Sequence, residues 1–146
     1  MKNILILAIV IFTAAFLMSA CCAEKRNLPK NVNGKIVDKT AKAWLSKHDK
    51  GYFQQCYDEI AQVLKNSLDK SQWLANMTSY RKPLGEANKR KEINMFYENQ
   101  PQNAEADDYV VAQYASLFQQ RIAVVESVTL IKDKDGSWKV SGYSLK

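Results

Sequence analysis

Histidine and cysteine are scarce in this chain, which has one histidine, His48, and three cysteines, Cys21, Cys22 and Cys56. No His or Cys group has metal-ligand spacing, and no nucleophile stands in arrangement with the single imidazole. A zinc-type centre and a histidine-dependent triad are therefore excluded. Only five glycines occur, none in a phosphate-cradling loop. No cofactor and no metal are expected. There is no internal repeat and no nucleic-acid motif. The one uncharged apolar run, from Ile4 to Met18, is shorter than the roughly 20 residues that a membrane span needs. His48 lies at a predicted helix end beside Asp49 and Lys50 and is expected at the surface or as a C-terminal cap.

The apolar run follows Lys2 and has the length of a signal-peptide core. Met18-Ser19-Ala20-Cys21 resembles a bacterial lipobox, which implies cleavage before Cys21, thioether lipidation of that cysteine and acylation of its new amino group. Ordinary cleavage, for example after Ala23, is the competing route, and an uncleaved anchor is the third. A single acyl chain holds a protein only marginally, whereas a diacylated, N-acylated cysteine anchors stably without a transmembrane helix. No Asp follows Cys21, so an outer membrane facing the periplasm is the expected location if the cell has two membranes.

The expected organisation is a signal peptide over residues 1–20, a lipidated cysteine and flexible tether over 21–34, and one domain over 35–146. Removing residues 1–20 takes away one lysine and no acid, so the net charge of +6 becomes +5. A modest positive charge near a membrane favours anionic lipid headgroups or the acidic face of another envelope protein, and an exported chain is not expected to meet nucleic acid. The oligomeric state is not legible. Cys56 falls on an apolar helix face and reads as a small buried hydrophobe. A bridge from it to Cys22 is the alternative.

Apolar spacing divides the chain at Arg81-Lys82-Pro83-Leu84-Gly85. Before it the period is helical. Ile36, Val37, Thr40, Ala43, Trp44 and Leu45 predict one helix, ending near His48. Tyr52 to Leu64 predicts a second, and a third is capped by Asp69 or Ser71, with Trp73, Leu74, Met77 and Tyr80 inward. Beyond Gly85 apolar residues alternate as in strands. The first is predicted around Ile93, Met95 and Tyr97, the second over 109–118, the third over 123–131 and the last over 138–145. Asp133-Lys134-Asp135-Gly136 predicts the final hairpin, and a bulge at Gly142 would put Trp138, Val140, Tyr143 and Leu145 on one face. The fold class is α+β, with helices packed on a curved antiparallel sheet of about four strands. Aromatic residues, Trp44, Tyr52, Phe53, Trp73, Phe118 and Trp138 among them, are expected to fill the space between the layers.

An ordered set of segments carries a family resemblance: Ala43-Trp44-Leu45, Asp49-Lys50-Gly51-Tyr52, Trp73, Arg81 to Gly85, Arg90, Tyr109-Val110-Val111, Val125 to Val128 and Asp135 to Tyr143. Over roughly residues 36–145 the chain resembles a bacterial domain-of-unknown-function family, number 4019, found in exported proteins and lipoproteins. Cys56-Tyr57 departs from it where a Ser-Trp pair is expected. The resemblance implies a fold similar to the nuclear transport factor 2-like cone and implies no activity.

Glu126 is the polar residue of most interest. It shares strand parity with Val124, Val128 and Leu130, so an inward face would bury one carboxylate among apolar groups. Arg81 and Arg90 are the candidate partners, and Tyr143 or Tyr114 the candidate hydrogen-bond donors. The expected role is a structural ion pair tying helices to sheet. The alternative is a polar pocket in which Glu126 works as acid or base. Arg81, Lys82, Lys89, Arg90 and Lys91 form a basic cluster in sequence, read as a solvated surface or as a contact for lipid phosphates or an acidic partner. The leading function is therefore a lipid-anchored, non-catalytic binding domain. The runner-up is a ligand-binding or enzymatic cone around Glu126.

Overall fold

A computed structural model describes residues 28–98, 109–120 and 122–146. Cys21 and Cys22, with the expected signal peptide and lipidation site, lie outside the described residues. The chain is α+β, with helices first and then a four-stranded antiparallel sheet in the order β1-β2-β3-β4. Among the described residues no helix is long and apolar enough to cross a membrane.

Helix α1 spans Gly34–Asp49, and Asn33 Oδ1 caps it by accepting from the Lys35 N–H at 3.1 Å. Its buried stripe is Val37, Ala41, Trp44, Leu45 and His48. Ile36 is half exposed and Ala43 is exposed, so the inward face is rotated from the expected one. Within the segment expected as tether, Val32 is buried and Leu28 packs against the core. The helix predicted over Tyr52 to Leu64 is two: α2, Phe53–Glu59, and α3, Gln62–Ser67. Ile60 and Ala61 between them are extended and buried, and the Ala61 N–H donates to the Val140 carbonyl at 2.8 Å. That tie to the sheet replaces a helical bond, which apolar spacing alone does not reveal. Asp69 caps α4, Lys70–Asn76, by accepting from Gln72 N–H at 2.8 Å. Trp73 faces the core, whereas Tyr80 and Tyr52, both predicted inward, are exposed.

A π-helical turn, Met77–Arg81, and a 3-10 turn, Lys82–Leu84, end the helical half. Gly85 has φ +73°, a left-handed value that glycine alone adopts without strain, and the chain turns there into the sheet. Strand β1 is Ala87–Glu98, β2 Tyr109–Phe118, β3 Ala123–Lys132 and β4 Trp138–Leu145. The first begins six residues before Ile93, so Lys89, Arg90 and Lys91 are strand residues. A register shift between Glu92 and Asn94 then reverses parity. Arg90 and Glu92 face the same side as Met95 and Tyr97, and Ile93, expected to alternate in phase with those two, is half exposed. A second shift between Thr129 and Leu130 skips Ser141, which sets Trp138, Val140, Tyr143 and Leu145 on one face. Gly136, at φ +79°, closes the β3–β4 hairpin.

Helices cover one face of the sheet. Trp44, Trp73, Phe53, Tyr57 and Tyr143 pack between the layers against Val110, Ala112, Val128 and Leu130. Cys56 is buried there as a free thiol, and burial, then the charge of Glu59, pushes its pKa up to about 12.

Candidate functional site: a buried ion cluster between helices and sheet

The end of α1, the junction turn and all four strands contribute side chains where α1 meets the sheet. Asp49 is the last residue of α1, and Gly51, at φ +74°, lets the chain leave the helix there. A carboxylate at a helix C-terminus faces the negative end of the helix dipole. Two guanidiniums offset that. Arg90 forks onto Asp49, with Nη1 donating to Oδ2 at 2.8 Å and Nη2 to Oδ1 at 2.9 Å. Arg81, delivered by the π-helical turn, donates from Nη2 to Asp49 Oδ1 and from Nη1 to the Gly85 carbonyl at 2.7 Å. Its guanidinium also lies 4.3 Å from the Phe118 ring centroid.

Glu126 is fully buried, as the inward parity of β3 requires. Its Oε2 accepts from Arg90 Nε at 2.6 Å and from Ser116 Oγ, and its Oε1 accepts from Tyr143 OH at 2.7 Å. Arg90 thus bridges two carboxylates, and the cluster of Asp49, Arg81, Arg90 and Glu126 is neutral overall. Burial, then the Glu126 charge, raises the Tyr143 pKa above its usual value, so the phenol stays a donor. Arg81 does not hydrogen-bond Glu126, one of the two pairings considered from sequence. Tyr114 does not either: its hydroxyl donates to Asp38 Oδ1 at 2.9 Å, toward α1.

His48, expected at the surface, is buried. It stacks on Trp44 with ring centroids 4.4 Å apart and meets Tyr143 and Phe53 edge-on at 4.8 and 5.1 Å. Neither ring nitrogen has a hydrogen-bond partner among the described residues. Burial, then the positive charges of Arg81 and Arg90, lowers its pKa to about 3. It is a neutral aromatic plate of the core, and its place at a helix end misleads because that end points into the domain.

Sequence reasoning missed Asp49 and Ser116. Asp49 reads as part of a helix break, since Asp-Lys-Gly marks a terminus whatever lies beyond it. Ser116 shares the inward parity of Tyr114 and Phe118, a signal that was available. Chemically the cluster can hold two layers in one register. Glu126 is not a free carboxylate there, because Arg90, Ser116 and Tyr143 donate to it and it has no exposed surface. Among the described residues no group of three or more His, Cys, Asp or Glu side chains could hold a metal ion.

Open grooves formed by the described residues include the following two. One, of about 420 Å³, runs between α1 and β4 under Trp44 and Trp138. The other, of about 500 Å³, crosses the outer face of the sheet at Ala115, Leu117 and Val125. Neither is lined by a member of the ion cluster.

The sequence model of a family described as "Protein of unknown function (DUF4019)" matches residues 40–143. No curated protein and no solved structure matches the chain. The matched span runs from α1 through Tyr143 and so includes every residue of the ion cluster.

Proposed function

We propose, of a chain that belongs to the DUF4019 family of proteins of unknown function, that it is a lipid-anchored cell-envelope protein whose domain works by binding and not by catalysis. The observation that carries the binding half is the closure of the Glu126 site. An acid–base residue must reach a substrate proton, and here the carboxylate is fully buried and receives Arg90, Ser116 and Tyr143. The grooves between α1 and β4 and on the outer face of the sheet are open, and Glu126 lines neither of them, which suits recognition of a partner. The anchor half is supported by the lipobox-like Met18-Ser19-Ala20-Cys21. The location that fits is an outer membrane, facing the periplasm, with another envelope protein as the partner.

The test is recovery of bound proteins from envelope membranes with the lipidated chain, alongside a Cys21→Ala control and mass spectrometry of the mature N-terminus. A specific protein recovered with the wild type, and loss of the control from membranes, is the expected result. Unchanged membrane fractionation of Cys21→Ala would reject the anchor. A small molecule retained by the purified chain, with no protein partner, would move the reading to a ligand pocket.

A further inference from the structure

The basic cluster around the helix–sheet junction divides once folded. Arg81 and Arg90 turn inward and are consumed by Asp49 and Glu126. Lys89 and Lys91 point the other way, to the face that no described helix covers. There Lys91 joins a row that crosses β1, β2 and β3 and ends at Lys146, the residue after β4. Lys91 lies opposite Ala115, Ala115 opposite Val125, and Val125 exchanges both backbone hydrogen bonds with Lys146, at 2.7 and 3.0 Å. With strands about 4.8 Å apart, Lys91 and Lys146 frame a floor roughly 14 Å wide. Lys89, opposite Leu117, and Ala123 form the adjoining row. Ala115 and Ala123 are exposed, so the floor is open as well as apolar. Lys89, Lys91 and Lys146 have no acidic partner among the described residues, and the groove that Lys89 and Lys146 border has no acid in its lining. The next two rows of the same face hold amides, hydroxyls and apolar groups, again without an acid.

We propose that this outer face of the sheet seats on an anionic phospholipid surface, with the lysines on headgroup phosphates and the small apolar floor against the interface. The assignment rests on the anchor reading for its geometry. Six residues lie between Cys21 and Leu28, where the described chain begins, and seven residue steps reach at most about 24 Å. Leu28 and Met95 both crowd Gly34, at 2.9 and 3.4 Å from where a Cβ would stand. Met95 is opposite Ala112, three residues along β2 from Ala115 or about 10 Å. Met95 lies on the helix-covered face of the edge strand β1, so a tether of that length led round this edge brings the lysine-framed floor within reach of a bilayer that holds Cys21. Charge complementarity selects the lipid: unpaired lysines beside an apolar surface match anionic headgroups over a neutral interface.

The test uses the full chain and vesicles of phosphatidylcholine, with or without phosphatidylglycerol replacing part of it. The Cys21→Ala chain, which lacks the acylation site, is expected to partition more strongly onto the anionic vesicles, with the preference fading in salt. Lys89→Gln with Lys146→Gln should weaken that binding roughly 30-fold, about fivefold per lysine near the surface. Lys132→Gln with Lys134→Gln removes equal charge at the opposite end of the sheet and should change it less than about twofold on the same scale. Equal partition onto both vesicle types would overturn the proposal, as would equal losses from the two lysine pairs. So would loss of a captured acidic protein in the Lys89/Lys146 variant without any lipid preference. Retention of the acylated wild type on neutral vesicles, against release of Cys21→Ala, reports the anchor separately, so the two readings fail independently.

Discussion

His48 is the one imidazole in the chain, and its burial among Trp44, Phe53 and Tyr143 makes it a probe of the core. Its folded pKa of about 3 lies below the unfolded value of about 6.5. The unfolded chain therefore binds the proton more readily. The neutral plate contributes stability that is fully present above pH 6.5 and is lost as pH falls toward 3. Between pH 7 and pH 5, above the ordinary carboxylate range, unfolding free energy should fall by about 2 kcal/mol. His48→Phe, which keeps a ring against Trp44 without a titrating nitrogen, should flatten that window. Urea denaturation of both chains across pH 5–7 decides it: a wild-type curve as flat as the variant's would mean that His48 can take a proton in the fold. Nothing in the residue's sequence neighbours, Lys47 and Asp49, announces this burial. The helix end they mark points inward because Trp44, four residues earlier, already does.

At the scale of elements, Gly85 carries the turn from helices to sheet. Its φ of +73° and ψ of −157° belong to a region that side chains with Cβ avoid, and a Cβ there would stand 2.5 Å from Gln119 Oε1. Gly85→Ala should cost about 1–3 kcal/mol, measured as a lower urea midpoint with an unchanged slope. A midpoint equal to wild type would show that the junction relaxes freely. The role of Pro83 and Gly85 as a boundary was legible because proline and glycine act locally. Strand limits from β2 onward and the last hairpin were legible for the same reason, through alternation and Asp-Gly. The break at Ile60-Ala61 and the early start of β1 were not. The first depends on the carbonyl of Val140, about eighty residues away in sequence. The second puts a basic, polar stretch into a ladder because β2 supplies its partners. The bulge at Ile93 then decides that Arg90 and Met95 share a face, and a one-residue slip of this kind inverts every parity argument upstream of it.

Across the whole molecule the Asp49–Arg81–Arg90–Glu126 cluster joins the end of α1, the junction turn, β1 and β3. Removing one member leaves a buried charge short of its partner. Glu126→Leu is expected to cost about 3–5 kcal/mol. Arg90→Leu with Glu126→Leu leaves Asp49 with Arg81, still balanced, so the double variant should be more stable than the two single losses summed, by about 1–3 kcal/mol. Strict additivity in urea denaturation would show that the two residues act independently despite their 2.6 Å contact. What the sequence determined by itself was the α+β order, the strand periods and the candidacy of Glu126, Arg81, Arg90 and Tyr143. Those follow from local preferences and from alternation within single elements. The tertiary structure alone decided which guanidinium meets which carboxylate, that Asp49 is the hub, that His48 is core, and that Lys91 and Lys146 frame one exposed floor. Such pairings join residues 32 to 55 positions apart in the chain, through bulges and register that no single element encodes.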